Sequence, residues 1–353
     1  MIKEAIQLLV ERKELPFEIA QQSMREIMAG EASPSQVGAF LTALRMKGET
    51  VQEVTALAIV MRENSVRISP KVDGRTVDTC GTGGDQLKTF NVSTTSALVA
   101  AGSGIAVAKH GNRSVTSKCG SADVLEAVGV NLNAPPATVQ RAIEEVGVGF
   151  MFAPAFHPAM KNAVVPRREI GIRTVFNLLG PLTNPANANA QVVGVYDPNL
   201  VRPLAEVLQK LGTEEALVVH GLDGIDEIST VGKTKLAWVK DKELTNQEIT
   251  PQDMELRQAK PTDISGFDVH QNAKLMVNIL KGVENEKSAR LEMVLANAAA
   301  AIAVAGRAKD LAEGVEVARK TVSSGRAYEK LKALIEITHG DESKLERIES
   351  RNA

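Results

Sequence analysis

Aromatic side chains are scarce in this 353-residue chain: they make up 3% of it, with one tryptophan, Trp238. That scarcity argues against single-stranded nucleic-acid binding, which relies on stacked rings. It predicts an aliphatic core, since apolar residues still reach 44%. Cysteine is scarcer: Cys80 and Cys119 form neither a disulfide framework nor a CxxC, which excludes a stapled secreted scaffold and a zinc ribbon. They read as reduced small residues of a cytoplasmic protein. Neither charge is in excess, because 41 Lys and Arg stand against 43 Asp and Glu. No polyanion partner is expected, and any anion site must be local. No apolar run is long enough to cross a bilayer; "MVLANAAAAIAVAG", 293–306, is interrupted by Asn297 and reads as a buried core helix. The first twenty residues carry acids from the start and no apolar h-region, so no secretory leader is expected. These absences predict a cytoplasmic protein with neither nucleic acid nor membrane as partner.

The length suits one large domain with a smaller companion. Residues 1–70 read as a helical domain, with apolar residues spaced three and four apart in four segments. Ser33-Pro34 and Glu49-Thr50 mark helix starts; Gly30 and Gly48 mark ends. From about residue 71 strands alternate with helices: "RTVDTC", "IAVAKHG", "VGFMFA", "AQVVGVYD" and "EALVVHG" are the strands. That alternation implies right-handed crossovers and an α/β fold with a mainly parallel central sheet. Residues 158–185 break the pattern, and a segment of about 160–186 is expected to return to the helical domain. The α/β domain then comprises 71–159 and 187–353. A hairpin excursion is expected over 233–251, then helices at 268–281, 289–305 and 310–323 and one charged tail helix.

Three loops carry chemistry. In "DTCGTGGDQLKTFNVSTTSA", 78–97, Gly81, Gly83 and Gly84 follow a strand and precede a helix. Glycines there allow a tight turn or a backbone nest for phosphate. Asn91, Ser93 and Thr94 either cap the helix or donate to an anion at its positive end. The stretch is neither GxxxxGK[ST] nor GxGxxG, so no P-loop nucleotide or dinucleotide is expected. "AKHGNRSVTSKCGSADVLEAVG", 108–129, repeats the logic with Lys109, Asn112, Arg113, Ser114, Ser117 and Ser121. "HGLDGIDEIST", 220–230, offers Asp226 and Glu227, adjacent acids that suit a hard cation or simply face solvent. In a parallel sheet all three loops lie at the carboxyl ends of strands, where ligands bind.

These motifs, with "PLTNP" at 181–185, closely resemble the anthranilate phosphoribosyltransferase family over nearly the whole chain. Lys88 and Cys119 fall at positions read as variable. The resemblance implies a fold similar to class III nucleoside phosphorylases, a helical domain beside an α/β domain, and a homodimer through the helical part. The implied reaction joins anthranilate to C1 of 5-phosphoribosyl 1-diphosphate (PRPP), releasing pyrophosphate in tryptophan biosynthesis. By the same resemblance, Gly81, Gly84, Asp85, Thr89, Asn91, Val92, Ser93 and Thr94 hold PRPP from the first loop. Lys109, His110, Gly111, Asn112, Arg113, Ser114, Val115, Thr116, Ser117 and Ser121 hold it from the second. Ser93, Asp226 and Glu227 would bind two Mg²⁺ ions per active site. Gly81, Asn112, His110, Pro181 and Arg167 would meet anthranilate. An arginine fork suits a carboxylate, though Arg167 has a salt bridge with Glu169 as its plain alternative. No catalytic base is expected, only electrostatic support from Lys109 and Asp85. The rivals are a pyrimidine nucleoside phosphorylase and a non-catalytic, nucleic-acid-binding relative.

Overall fold

The structure, a computed structural model, describes residues 1–84, 87–114 and 119–350. Four helices open it: α1 (Ile2–Val10), α2 (Phe17–Ala29), α3 (Pro34–Lys47) and α4 (Val51–Glu63). Their limits follow local chemistry. Ser33 with Gln36, and Thr50 with Glu53, form reciprocal capping boxes. Gly30 ends α2 in the left-handed region at φ 76°. Glu53 is fully buried; it accepts from the Leu15 N–H at 2.9 Å and pairs with Lys47 at 2.7 Å, tying the turn before α2 to the end of α3.

The α/β part runs β1 (Thr76–Gly81), α5 (Val92–Gly102), β2 (Ala106–Gly111), α6 (Ser121–Ala127), α7 (Pro136–Arg141) and β3 (Val148–Phe152). The α7 helix runs on into a π-helical turn, Ala142–Val146, stopped by Gly147. Next come α8 (Ala153–Phe156), α9 (Lys161–Ile170), α10 (Val175–Leu182), β4 (Ala190–Gly194), α11 (Val201–Lys210) and β5 (Glu215–Gly221). The α9 helix packs on α2 and α3, and α10 on α4. Asn162 donates to the Met28 carbonyl at 2.8 Å, and Arg62 to the Leu182 carbonyl at 2.7 Å.

The segment 233–251 is not an excursion. It forms β6 (Thr234–Lys240) and β7 (Glu243–Ile249), which add antiparallel to β5 and complete the order β3-β2-β1-β4-β5-β6-β7. Leu236, Ala237 and Val239 of β6 are buried, so this strand belongs to the core, while Asn246, Gln247 and Glu248 keep β7 a polar edge. The C-terminal helices are α12 (Val269–Leu280), α13 (Ala289–Val304), α14 (Leu311–Ser323), α15 (Arg326–Ile337) and α16 (Glu342–Ser350). Two helices thus stand where one charged tail helix is expected. The break is at His339, with φ 53°, where Asp341 donates to the Gly129 carbonyl at 2.8 Å.

Alternation in the strands separates two cores. Leu217, Val219 and Leu236 face a layer that includes α5, α12, α13 and α14, with α13 buried along nearly its whole length. Ala216, Val218 and Val239 share the other core with α10, α11 and the four N-terminal helices. No described helix is long and apolar enough to cross a membrane.

Strand order positions the site. The chain leaves β1 for β2 and β3 on one side, then returns to β4 on the other. The carboxyl ends of β1 and β4, Gly81 opposite Gly194, therefore flank a topological switch point, where open α/β sheets bind ligands.

Candidate active site

The three loops meet at this switch point. In the first, Gly83 and Gly84 take φ values of +70° and +89°, which only glycine adopts without strain. The Gly83 N–H donates to an Asp226 carboxylate oxygen at 2.9 Å, and Thr82 donates its N–H to the Gly194 carbonyl at 2.9 Å. A side chain at Gly81 or Gly194 would run into Asp226, so the third loop is wedged between the ends of β1 and β4. At the start of α5, the Ser93 N–H donates to Glu227 at 3.2 Å, placing a carboxylate at a helix N-terminus where the dipole favours it. Asn91 makes no side-chain cap. Its amide nitrogen donates to the Cys119 carbonyl at 3.2 Å, joining the first loop to the second, and its buried Oδ1 has no partner among the described residues. Thr94 is buried in the same turn, and Val92 beside it packs into the core. Thr89 bridges to Ser265, and Lys88 accepts from the Gly266 N–H at 2.9 Å.

Lys109 lies in the second half of β2, beneath this junction. It is 3% exposed; its ammonium donates to the Thr79 carbonyl at 2.5 Å and lies 3.5 Å from the Ser93 hydroxyl. Burial pulls its pKa down, while Asp78, Cys80 and Glu227 oppose that pull. Asp78 is fully buried and accepts from the His110 N–H at 3.1 Å; burial raises its pKa and Lys109 restrains the rise. Both cysteines are free thiols.

The second loop closes on itself. Asp123 accepts N–H groups from Ser114 at 3.1 Å and Gly120 at 2.8 Å, and the Asn112 carbonyl accepts from the Ser121 hydroxyl at 3.2 Å. Gly111 leaves no room for a side chain beside Ser121 and Phe150. The Arg113 guanidinium is engaged by Asp123 at 3.0 Å and Glu126 at 2.8 Å, so it does not face the other loops here. Asp85, Val115, Thr116 and Ser117 lie outside the described residues.

The residues expected at the acceptor side divide. His110 and Pro181 come together: His110 bonds the Gly180 carbonyl, and the Pro181 carbonyl accepts from Gln191 at 2.5 Å. Arg167, half-buried at the end of α9, stacks 5.0 Å from the Phe176 ring centre of α10. Burial lowers its pKa, and it pairs with no carboxylate among the described residues, Glu169 included. Arg168 is exposed. Among the described residues no bond joins Arg167 to either glycine-containing loop; Arg173 instead reaches Gly84.

Several residues around the site escape sequence reasoning. Asn297, noted only as a break in an apolar run, accepts from the Ile228 N–H at 2.9 Å and donates to the Ile228 carbonyl at 3.1 Å, fixing the residue next to Glu227. A polar residue inside an apolar helix was its only signal. Asp78 had the matching signal in a strand. His157 had none; its ring lies 5.0 Å from that of His110. Both imidazoles carry a buried Nε2 without a partner among the described residues.

That histidine pair makes a pH prediction. Burial, then its neighbour His157, lowers His110 to about 3; burial lowers His157 to about 4. Both are neutral in the fold at neutral pH, whereas the unfolded imidazoles titrate near 6.5. Between those values the unfolded chain binds more protons, so stability is complete above the unfolded pKa and is lost as pH falls through the window. Each histidine contributes up to about 1.4 kcal/mol per pH unit there. Urea midpoints measured from about pH 7 to pH 5 should fall for the native chain and fall less for a His110→Gln/His157→Gln variant. Parallel curves would contradict the buried neutral pair.

A cleft of about 580 Å³ also opens near the amino end of β2, lined by Lys71, Arg307 and Lys330. It shares no residue with the three loops.

A helical bundle stands beside a mainly parallel α/β domain, with glycine-, lysine- and acid-bearing loops at the switch point, as in a glycosyl-transfer enzyme. The family models agree: residues 3–65 match the glycosyl transferase family helical bundle domain, and residues 73–328 its a/b domain. The chain is 48% identical over 339 residues to the anthranilate phosphoribosyltransferase of Acetivibrio thermocellus, covering 96% of this chain and 97% of that one. It is similar to the crystal structure of the Thermus thermophilus enzyme, with TM-score 0.89 and 43% identity over 95% of this chain and 99% of that one. It is also similar to the Saccharomyces cerevisiae enzyme in complex with PRPP and Mg, with TM-score 0.88 and 26% identity over 96% and 98%. The chain belongs to the anthranilate phosphoribosyltransferase family.

Proposed function

We propose that the three-loop junction transfers the phosphoribosyl group of PRPP to the amine of anthranilate, giving N-(5-phosphoribosyl)anthranilate and pyrophosphate for tryptophan biosynthesis. The observation that carries this reading is the convergence on one point of the Gly83–Gly84 turn, the Asp226–Glu227 pair and the Lys109 ammonium.

The donor set fits magnesium: two carboxylates and the Ser93 hydroxyl are hard oxygen ligands, and the orphaned Asn91 Oδ1 adds an oxygen at the same helix start. We assign Ser93 and Glu227 to one ion, and Asp226 and Glu227 to a second. Magnesium, when bound, supplies positive charge to the diphosphate oxygens. The chain's residues do the rest. The Gly81–Gly84 turn and the start of α5 orient the diphosphate and phosphate. Lys109 stabilises charge on the leaving group as the C1–O bond breaks and the C1–N bond forms. The nucleophile is an uncharged aromatic amine, so positioning replaces base catalysis, and its proton leaves after bond formation. His110 and Pro181 line the acceptor side; Arg167 meets the carboxylate of anthranilate.

Arg167→Ala tests that last role. Loss of a charged hydrogen bond of about 1.5–3 kcal/mol predicts a roughly ten- to hundredfold rise in the anthranilate KM. The PRPP KM should stay close to native. Equal rises for both substrates would remove Arg167 from the acceptor side. The reaction itself is tested by incubating the protein with anthranilate, PRPP and Mg²⁺ and following anthranilate loss and pyrophosphate release, each component omitted in turn. Turnover without PRPP, or phosphorolysis of thymidine instead, would overturn the assignment.

Two further features belong to this reading. Exposed Val10, Met46, Val164 and Val165 on α1, α3 and α9 suit a homodimer through the helical part. The free thiols suit the reducing cytoplasm.

A further inference from the structure

We propose that Arg173 is a positioning residue for the glycine turn, bracing it from the segment that carries Arg167; this rests on the functional reading above. Arg173 lies in the short link between α9 and α10, outside every motif that the sequence singles out. Its Nη2 donates to the Gly84 carbonyl at 3.0 Å. Its guanidinium carbon sits 4.2 Å from the centre of the Tyr196 ring, and no carboxylate pairs with it among the described residues. The Tyr196 N–H in turn donates to the Thr82 hydroxyl at 3.1 Å. Thr82, Gly84, Arg173 and Tyr196 thus form a closed brace around the turn.

Without the brace the turn has little to hold it. Gly83 and Gly84 both sit in the left-handed region and have no Cβ to restrict rotation of the peptides between them. Asp226 fixes one side of the turn through the Gly83 N–H, and Arg173 fixes the other through the Gly84 carbonyl. With that carbonyl bonded to Arg173, and the Thr82 and Gly83 N–H groups already donating to Gly194 and Asp226, the Gly84 N–H is the donor of the turn left for an anion among the described residues. The guanidinium occupies the place that a side chain at residue 84 would take, which explains a glycine there. Among the described residues its charge has a carbonyl and a ring as partners and no carboxylate, so it adds positive potential beside a diphosphate. A lysine could supply that charge but not the planar group that bonds the carbonyl while lying on the ring.

The test measures PRPP affinity by calorimetry, and both KM values, for Arg173→Ala, Arg173→Lys, Tyr196→Ala and Tyr196→Phe. Arg173→Ala should weaken PRPP binding by about tenfold or more. The anthranilate KM should change far less, and the thermal midpoint should stay near native. Arg173→Lys should recover little. Tyr196→Phe, which keeps the ring, should match the native protein, and Tyr196→Ala should reproduce part of the loss without adding to it in the double variant. Native PRPP affinity in Arg173→Ala would overturn the proposal. So would full rescue by lysine, or an effect confined to the anthranilate KM. Native protein that binds no PRPP would instead sink the functional reading, and the brace with it.

Discussion

Lys109→Met should abolish useful turnover and also destabilise the fold. The ammonium is buried against the Thr79 carbonyl, with Asp78 and Glu227 as its electrostatic partners. Removing it takes away the charge that restrains the rise of the fully buried Asp78 pKa, and leaving a buried carboxylate less compensated costs on the order of a few kcal/mol. It also removes a fixed cation from the junction where diphosphate charge develops, a loss on the order of a hundred- to thousandfold in rate. The two effects separate in a double variant. Asp78→Asn with Lys109→Met removes the stranded charge, so its thermal midpoint should recover most of the loss while its activity does not. Recovery of both would make Lys109 a purely structural residue. An active single variant would remove it from the chemistry altogether.

Asp226→Asn with Glu227→Gln should leave the fold intact and disable magnesium-dependent binding. Each new amide keeps an oxygen able to accept the N–H of Gly83 or Ser93, so the backbone contacts at 2.9 and 3.2 Å persist. Only charge is lost. Oxygen ligands bind Mg²⁺ chiefly through that charge, so kcat/KM for PRPP should fall by roughly a thousandfold, the order seen when a main electrostatic contribution is removed. The Mg²⁺ needed for half-saturation should rise steeply and the anthranilate KM should change little. Unchanged Mg²⁺ and PRPP saturation curves would refute the metal assignment.

Much of this protein was legible one residue at a time because its signals are local. Helix starts at Ser33 and Thr50 are written in capping chemistry within four residues. The alternation of strands and helices announces a parallel sheet, and glycines after a strand announce a ligand turn. The segment 293–306 reads as buried from its composition and is buried from Met293 through Val304. The places where local reading fell short involve partners far away in the chain. The 233–251 hairpin looked separate because nothing within it reveals that β5 has a free edge. The tail splits at His339 because Asp341 bonds Gly129, more than two hundred residues earlier.

The site divides in the same way. Sequence alone determined its chemical types: hydroxyls and glycines for phosphate, paired acids for a hard cation, a lysine and an arginine for charge. These follow from side-chain chemistry and short spacing, which need no coordinates. Only the tertiary structure decided which of them meet. It wedged Asp226 between the ends of β1 and β4, turned Arg113 onto Asp123 and Glu126, and brought Asn297 and Arg173 to loops they never adjoin in sequence. The physical reason is that packing a sheet between two helical layers brings distant strand ends within hydrogen-bonding reach, and that juxtaposition is a property of the whole fold rather than of any stretch of it.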